Sequence, residues 1–176
     1  RPIIGYMGTI NSTRLDGELL YQIISQRPDY SFVFTGPEDD IFRRNRIHSL
    51  KNAYFTGQKK VDELPAYIAA YDVCINPQMV NEITDGNYPL KIDEYLAMGK
   101  PTVATSTHTM RNIFAGHTHL AINPEEWLAA IDRAVTEADD KELAKQRIAF
   151  AETHSWGHSV KKIYEIIDSF LKKKTT

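Results

Sequence analysis

An α/β domain built on a doubly wound parallel sheet of about six strands is the fold this sequence predicts, and three observations predict it. Short apolar runs recur along the chain, too continuous to leave a strand a solvent face. Between them lie stretches whose apolar residues fall three and four apart, the period of a helix. Most runs end in a glycine or a turn pair, so loops follow strands and gather at one edge of the sheet. Right-handed crossovers then place helices on both faces, and ligands in such sheets bind beyond the carboxyl ends of the strands.

The first strand is Ile3 to Met7, running into Gly8. Asp16 to Arg27 carries Leu19, Leu20, Ile23 and Ile24 at helical spacing, and Pro28 stops it. SFVFTG, Ser31 to Gly36, is a second buried strand closed by Gly36-Pro37. Ile41 to Ser49 is a polar helix candidate, NAYFTG (Asn52 to Gly57) a third strand, and Val61 to Tyr71 a helix with Leu64, Ile68 and Tyr71 inward. Asp72 to Asn76 is a fourth strand, followed by a polar loop of about a dozen residues and a helix beginning near Pro89. Pro89 suits a first turn, where its missing N–H has no partner to lose. Leu90, Tyr95, Leu96 and Met98 give that helix an apolar side, and Gly99 stops it. Thr102 to Ser106 and His119 to Asn123 are the last strands, with a short helix at Met110 to Ala115 between them. Glu125 to Ala138, Lys141 to Thr153 and Ser159 to Lys174 read as helices. The chain is expected to be a single domain, 1–176, of which only the last helix looks separable.

At 176 residues the chain is long enough to bury roughly 70% of its unfolded surface in one domain. Apolar residues are 42% and charged residues 25% of the chain, ordinary values that exclude disorder. The formal net charge of −2, with Lys and Arg spread along the sequence, leaves no broad polyanion-binding face and excludes nucleic acid as the expected partner. Cys74 is the only cysteine and sits in the apolar run YDVCI, so it reads as a reduced, packed thiol in a cytoplasmic setting. No stretch approaches the roughly 18 apolar residues of a membrane span, and the opening residues lack a leader pattern. The abrupt start on RPIIGYMG, without Met, suggests a piece of a longer chain.

The chemistry concentrates between Asp72 and Ser106. A helix N-terminus presents unpaired N–H groups and a positive dipole end, so with Lys91 it makes an anion site. Lys91 and Glu94 lie three apart and share a face, and Glu94 can accept two hydroxyls at once. Thr84, Asp85, Gly86 and Asn87, in the long polar loop, lie over that helix start as candidate binding groups. The loop GYMGTINSTRLDG does not make a G-x-G-x-x-G fingerprint, which argues against a nicotinamide site, and no Walker pattern is present. Asn11, Ser12 and Thr13 suit either a helix cap or a phosphate contact, and Arg14 suits either a diphosphate or the solvent. Glu38, Asp39 and Asp40 read as turn and first-turn carboxylates. His117 and His119 form an H-x-H pair without a third ligand nearby, so a metal is not expected.

Three segments together, NAYFTGQKKVDELPAYIAAYDVCINP, PLKIDEYLAMGKPTVATS and HSWGHSVKKIYEII, resemble the C-terminal half of family-4 retaining glycosyltransferases of the GT-B fold, a Rossmann-like half. The similarity runs from Ile3 to about Leu171. The resemblance implies that Glu94 holds the ribose hydroxyls and that Lys91 and the amides around Pro89 and Leu90 meet the diphosphate. It implies that Gly57, Gln58 and Lys59 pass the base, and that Gly8 and Thr9 line a phosphate loop. The family's sugar-contacting glutamate falls at Gly86, leaving Asp85 or Asn87 to substitute. Its usual phosphate-binding Arg and Lys fall at Thr9 and Asp16, leaving Arg14 and Lys91 as diphosphate stabilisers. The catalytic residue stays unassigned. The implied function is donor binding, with a UDP-sugar favoured, for retaining transfer to a glycan or lipid-linked acceptor in bacterial cell-surface polysaccharide synthesis. No metal or other cofactor is implied. The acceptor-binding N-terminal half would be missing, any attachment to the membrane would reside there, and this chain alone would be inactive. Residues 155–174, with Trp156, resemble the helix that crosses back onto that half. The alternatives are a nucleotide-sugar epimerase of the same fold and a non-catalytic α/β interaction module of the receiver type.

Overall fold

The computed structural model describes residues 1–174. Six strands, β1 (Ile3–Met7), β2 (Ser31–Thr35), β3 (Ala53–Gly57), β4 (Val73–Asn76), β5 (Thr102–Thr105) and β6 (His119–Ala121), form one sheet in the order β3-β2-β1-β4-β5-β6. Every pairing is parallel. The chain thus winds outward from β1 in one direction, returns, and winds outward from β4 in the other. The strand order reverses between β1 and β4, and the crevice beyond their carboxyl ends is where such a sheet leaves room for a ligand. A receiver-like module has the different order 2-1-3-4-5, so that alternative is set aside.

Helices α1 (Gly17–Ser25), α2 (Leu64–Ala70), α3 (Leu90–Ala97), α4 (Pro124–Thr136) and α5 (Lys141–Glu152) cover the sheet. Two apolar layers result. One joins Leu20, Ile23 and Ile24 of α1 and Trp127 and Ile131 of α4 to Ile4, Phe32 and Val103 of the sheet. The other joins Ile92, Tyr95 and Leu96 of α3 and Ile68 of α2 to Cys74 and Ala104. Cys74 is a buried free thiol, as its apolar setting predicts. Asp16 caps α1 by accepting from Leu19 N–H at 2.9 Å, Asn123 caps α4 through Glu126 N–H, and Asp140 caps α5.

Several elements depart from expectation. Ile41 to Ser49 is two short 3₁₀ turns, Phe42–Arg44 and Arg46–Ser49, because only Phe42 and Ile47 find core to enter. The second helix begins as a 3₁₀ turn, Val61–Glu63, and Tyr71 lies just past the end of α2. Met110–Phe114 is a π-helical turn. Pro89 is the cap of α3 and not its first helical residue. The apolar side of α3 is Ile92, Tyr95 and Leu96, while Leu90 is 67% exposed. The last helix, α6 (Trp156–Lys174), leaves the domain, with Trp156 85% exposed. Among the described residues no helix is long and apolar enough to cross a membrane.

Candidate functional site

Three loops meet at the carboxyl edge of the sheet. Gly8, after β1, has φ +136° and donates its N–H to Thr35 O at 2.9 Å. Gly36, after β2, has φ +148° and donates to Gly57 O at 3.1 Å. A Cβ on Gly36 would stand 2.0 Å from the Gly8 carbonyl oxygen, and one on Gly8 would stand 2.7 Å from Lys91 Nζ. Only residues without a side chain let these loops approach each other and let a lysine lie across them.

The lysine comes from the first turn of α3. Helix α3 is fixed to the end of β1 by Tyr95, whose buried hydroxyl accepts from Met7 N–H at 2.8 Å and donates to Met7 O at 3.2 Å. No side chain caps α3; Ile92 N–H turns back to Pro89 O at 2.9 Å, and the amides of Leu90 and Lys91 at the very start of the helix are left without a side-chain cap beside the crevice. Lys91 Nζ donates to Tyr6 Oη at 2.7 Å and lies 4.2 Å from the Tyr6 ring centroid. Tyr6 in turn donates its own proton to Thr9 O at 3.0 Å. With its hydroxyl proton committed, Tyr6 offers Lys91 a lone pair. Burial pushes the Lys91 ammonium down to about 8; the Glu94 carboxylate opposes the shift and Arg14 adds to it. Glu94 is raised by desolvation and held back by Lys91. The two side chains therefore feel each other across one turn of helix.

Two adjoining cavities share Lys91, Gly8 and Thr9 in their walls. The larger, about 600 Å³, is lined by Arg14, Asn87, Pro89 and Leu90, together with Tyr6, Asn11, Gln78 and Tyr88. The smaller, about 370 Å³, is lined by Glu94, Gln58 and Lys59, with Gly36 and Leu64. Gly57 ends β3 immediately before Gln58. The fold thus brings Gly8, Thr9, Arg14, Gln58, Lys59, Asn87, Pro89, Leu90, Lys91 and Glu94 to one continuous crevice at the reversal point of the sheet. Arg14 and the start of α3 face it on one side of Lys91, and Glu94 with Lys59 faces it on the other. An anion flanked by a hydroxylated group matches that arrangement.

Thr84 and Asp85 are not brought there. Thr84 is 1% exposed and its hydroxyl bonds Met79 O within its own loop. The Asp85 carboxylate accepts from His108 N–H at 2.7 Å and its carbonyl from Thr109 N–H, tying the loop to the segment after β5. Both are turn builders here. Asn11 serves a local turn by accepting from Thr13 N–H at 2.8 Å, and Ser12 donates to Asp39 at 2.7 Å. Glu38 pairs with His48 at 2.8 Å, so the acidic stretch after β2 holds loops together. His119 faces Glu137 at 3.1 Å while His117 stacks on Phe150, so the two histidines serve separate contacts.

Tyr6, Gln78 and Tyr88 line the larger cavity without having been expected there. Tyr88 donates to Asp93 at 2.6 Å, and Asp93 also meets His154 Nδ1 at 2.9 Å. Burial, then the Asp93 contact, raises the Tyr88 phenol and keeps it protonated. The available signal was position: a tyrosine two residues before a loop glycine and another next to the proline that starts a helix carry polar tips to a sheet edge.

A family model described as "Glycosyl transferases group 1" matches residues 1–137. Among curated proteins, the putative teichuronic acid biosynthesis glycosyltransferase TuaH of Bacillus subtilis is 28% identical over 160 residues, 88% of this chain and 40% of that protein. The chain therefore spans about two fifths of the curated relative it matches. Among solved structures, sucrose-phosphate synthase from Thermosynechococcus elongatus superposes with a TM-score of 0.75 at 20% identity, covering 98% of this chain and 46% of that one. The Anabaena protein Alr3699/HepE, solved in complex with UDP, gives 0.74 at 15% identity over 95% of this chain and 48% of its own.

Proposed function

The chain belongs to the group 1 glycosyl transferases and has the fold of a GT-B C-terminal domain; on that premise we propose that it is the half that binds a nucleotide-sugar donor. The observation that carries the reading is Lys91, shared by two cavities, with the open N-terminus of α3 beside it and Glu94 one turn on. In this reading the diphosphate lies across Lys91, Gly8 and the first amides of α3. Glu94 receives the ribose hydroxyls in the smaller cavity, and the base runs on toward Gln58 and Lys59. The sugar occupies the larger cavity beside Asn87 and Arg14. UDP is the favoured nucleotide; the relative solved with UDP shares this fold.

As the glycosidic bond to the donor breaks, negative charge grows on the leaving diphosphate. Lys91, Arg14 and the helix amides are already in place to receive it, which lowers the barrier without reorganising solvent. The charge is met by these groups in this reading, with no metal assigned a part. Tyr6 holds the ammonium toward the crevice. We further propose transfer with retention at the anomeric carbon, onto a glycan or lipid-linked acceptor bound by a further N-terminal half, in polysaccharide synthesis. The name of the curated relative, from teichuronic acid biosynthesis, points the same way.

Calorimetric titration with UDP, GDP, ADP and uridine tests this. One diphosphate should bind selectively, and Glu94→Ala should weaken it by about 1.5–3 kcal/mol per charged hydrogen bond lost to the ribose, with the fold intact by circular dichroism. Unchanged affinity in the folded variant would remove Glu94 from the site.

A further inference from the structure

We propose that the sugar taken by the larger cavity is itself acidic, a hexuronic acid or similar carboxylate-bearing sugar carried on the nucleoside diphosphate. This deepens the donor reading above and rests on it. Neutral sugars are ordinarily gripped by carboxylates that accept their hydroxyl protons. Among the described residues, the wall of this cavity contains two cations, Arg14 and Lys91, and no carboxylate.

The surrounding carboxylates are each engaged elsewhere. Asp16 caps α1, Asp39 holds the Ser12 amide and hydroxyl, Asp85 accepts from His108 N–H and Asp93 accepts from Tyr88. Glu82 is exposed and outside the wall. Glu94 lines only the neighbouring cavity, on the other side of Lys91. The position next to Asn87 is Gly86, where a Cβ would meet nothing within 4 Å, so the fold leaves room for an acidic side chain and the sequence supplies none.

Unused hydrogen-bonding capacity points the same way. The Arg14 guanidinium lines the cavity with no hydrogen bond or ion pair among the described residues. Gln78 is 7% exposed and also lines it, and its side-chain amide makes no hydrogen bond among them. A planar fork of N–H donors and an amide donor in the same cavity wall match a carboxylate, which accepts at both oxygens. Lys91 lies at the wall shared by both cavities, whereas Arg14 lines only the larger one, so in the donor complex Arg14 faces the sugar's carboxylate as well as the charge that later develops on the diphosphate.

Titration of the 176-residue chain with UDP, UDP-glucose and UDP-glucuronic acid at pH 7 and low salt tests this. The acid should bind about ten-fold tighter than the neutral sugar, the gain of one charge-assisted pair at a half-open site. Arg14→Gln should remove most of that ratio, and added salt should shrink it. Gly86→Glu, at a position with open space, should reverse the preference. Equal or weaker binding of the acid, with UDP still bound, would overturn the acidic-sugar assignment and leave the donor reading standing. Failure of a folded chain to bind UDP at all would overturn the donor reading and this inference with it.

Discussion

At Lys91 burial and ligand charge pull in opposite directions. Burial lowers its pKa from an ordinary 10.5 to about 8, so the free protein sheds this proton far earlier than an exposed lysine does. A bound diphosphate favours the ammonium and raises the pKa again, so above about pH 8 binding must take up a proton. UDP affinity should therefore fall as pH rises from 8 to 9.5, by up to about ten-fold per unit, and Lys91→Met should bind weakly with no such slope. The sign for folding is the reverse. A lysine depressed in the folded state destabilises below its folded pKa and is relieved as pH rises through 8 toward 10.5. Lys91→Met should thus stabilise the unliganded protein at pH 7, with the gain fading toward pH 10 in urea melts. That Lys91 and Glu94 would stand at the sheet-edge crevice was legible from their spacing at a helix start. Tyr6 was not, because within IIGYM a tyrosine reads as core, and it is core: 2% exposed, with its hydroxyl and one ring face meeting the lysine. Thr84 and Asp85 bond within the loop and to the segment after β5, a placement not legible in advance because a polar loop reads alike whether its groups face a ligand or one another.

At the scale of elements, α3 is the part that positions the rest. It is hydrogen-bonded to the end of β1 through the Tyr95 hydroxyl, to both the N–H and the carbonyl of Met7, and through Lys91 to the Tyr6 hydroxyl. Tyr95→Phe keeps the ring but leaves that buried N–H without its acceptor. It should cost about 1–3 kcal/mol in urea unfolding and weaken UDP binding, because Gly8 and Thr9 follow directly on Met7. Helical periodicity located α3 within a residue or two but assigned Leu90 to the wrong face. The period marks a stripe, and a residue at the very start of a helix can leave it to line a crevice. Ile41 to Ser49 failed for a related reason. Its apolar residues are too few to anchor more than one turn at a time, so local 3₁₀ bonds suffice.

The whole molecule divides into a closed domain and a helix that leaves it. Val160, Ile163, Tyr164 and Ile167 of α6 are 45–63% exposed, so they contribute little to the stability of the domain that carries them. A chain ending at Ser155 should keep its free energy of unfolding in urea within about 0.5 kcal/mol of the parent, in the range of surface changes. The alternation of strands and helices made the doubly wound class legible, and the loop glycines marked the edge where ligands go. The order of the strands was not legible, since either direction of winding has the same alternation along the chain. That order has a consequence for how the protein is made. Ile3 finds its partner Ser31 early, but on the other side Ile4 must wait for Val73, and Met7 for Tyr95. During synthesis the N-terminal three strands can assemble as a unit while the far side of β1 stays an unpaired edge. The crevice is the seam between the β1–β2–β3 side and the β4–α3 side, so its walls are complete only once α3 has been made.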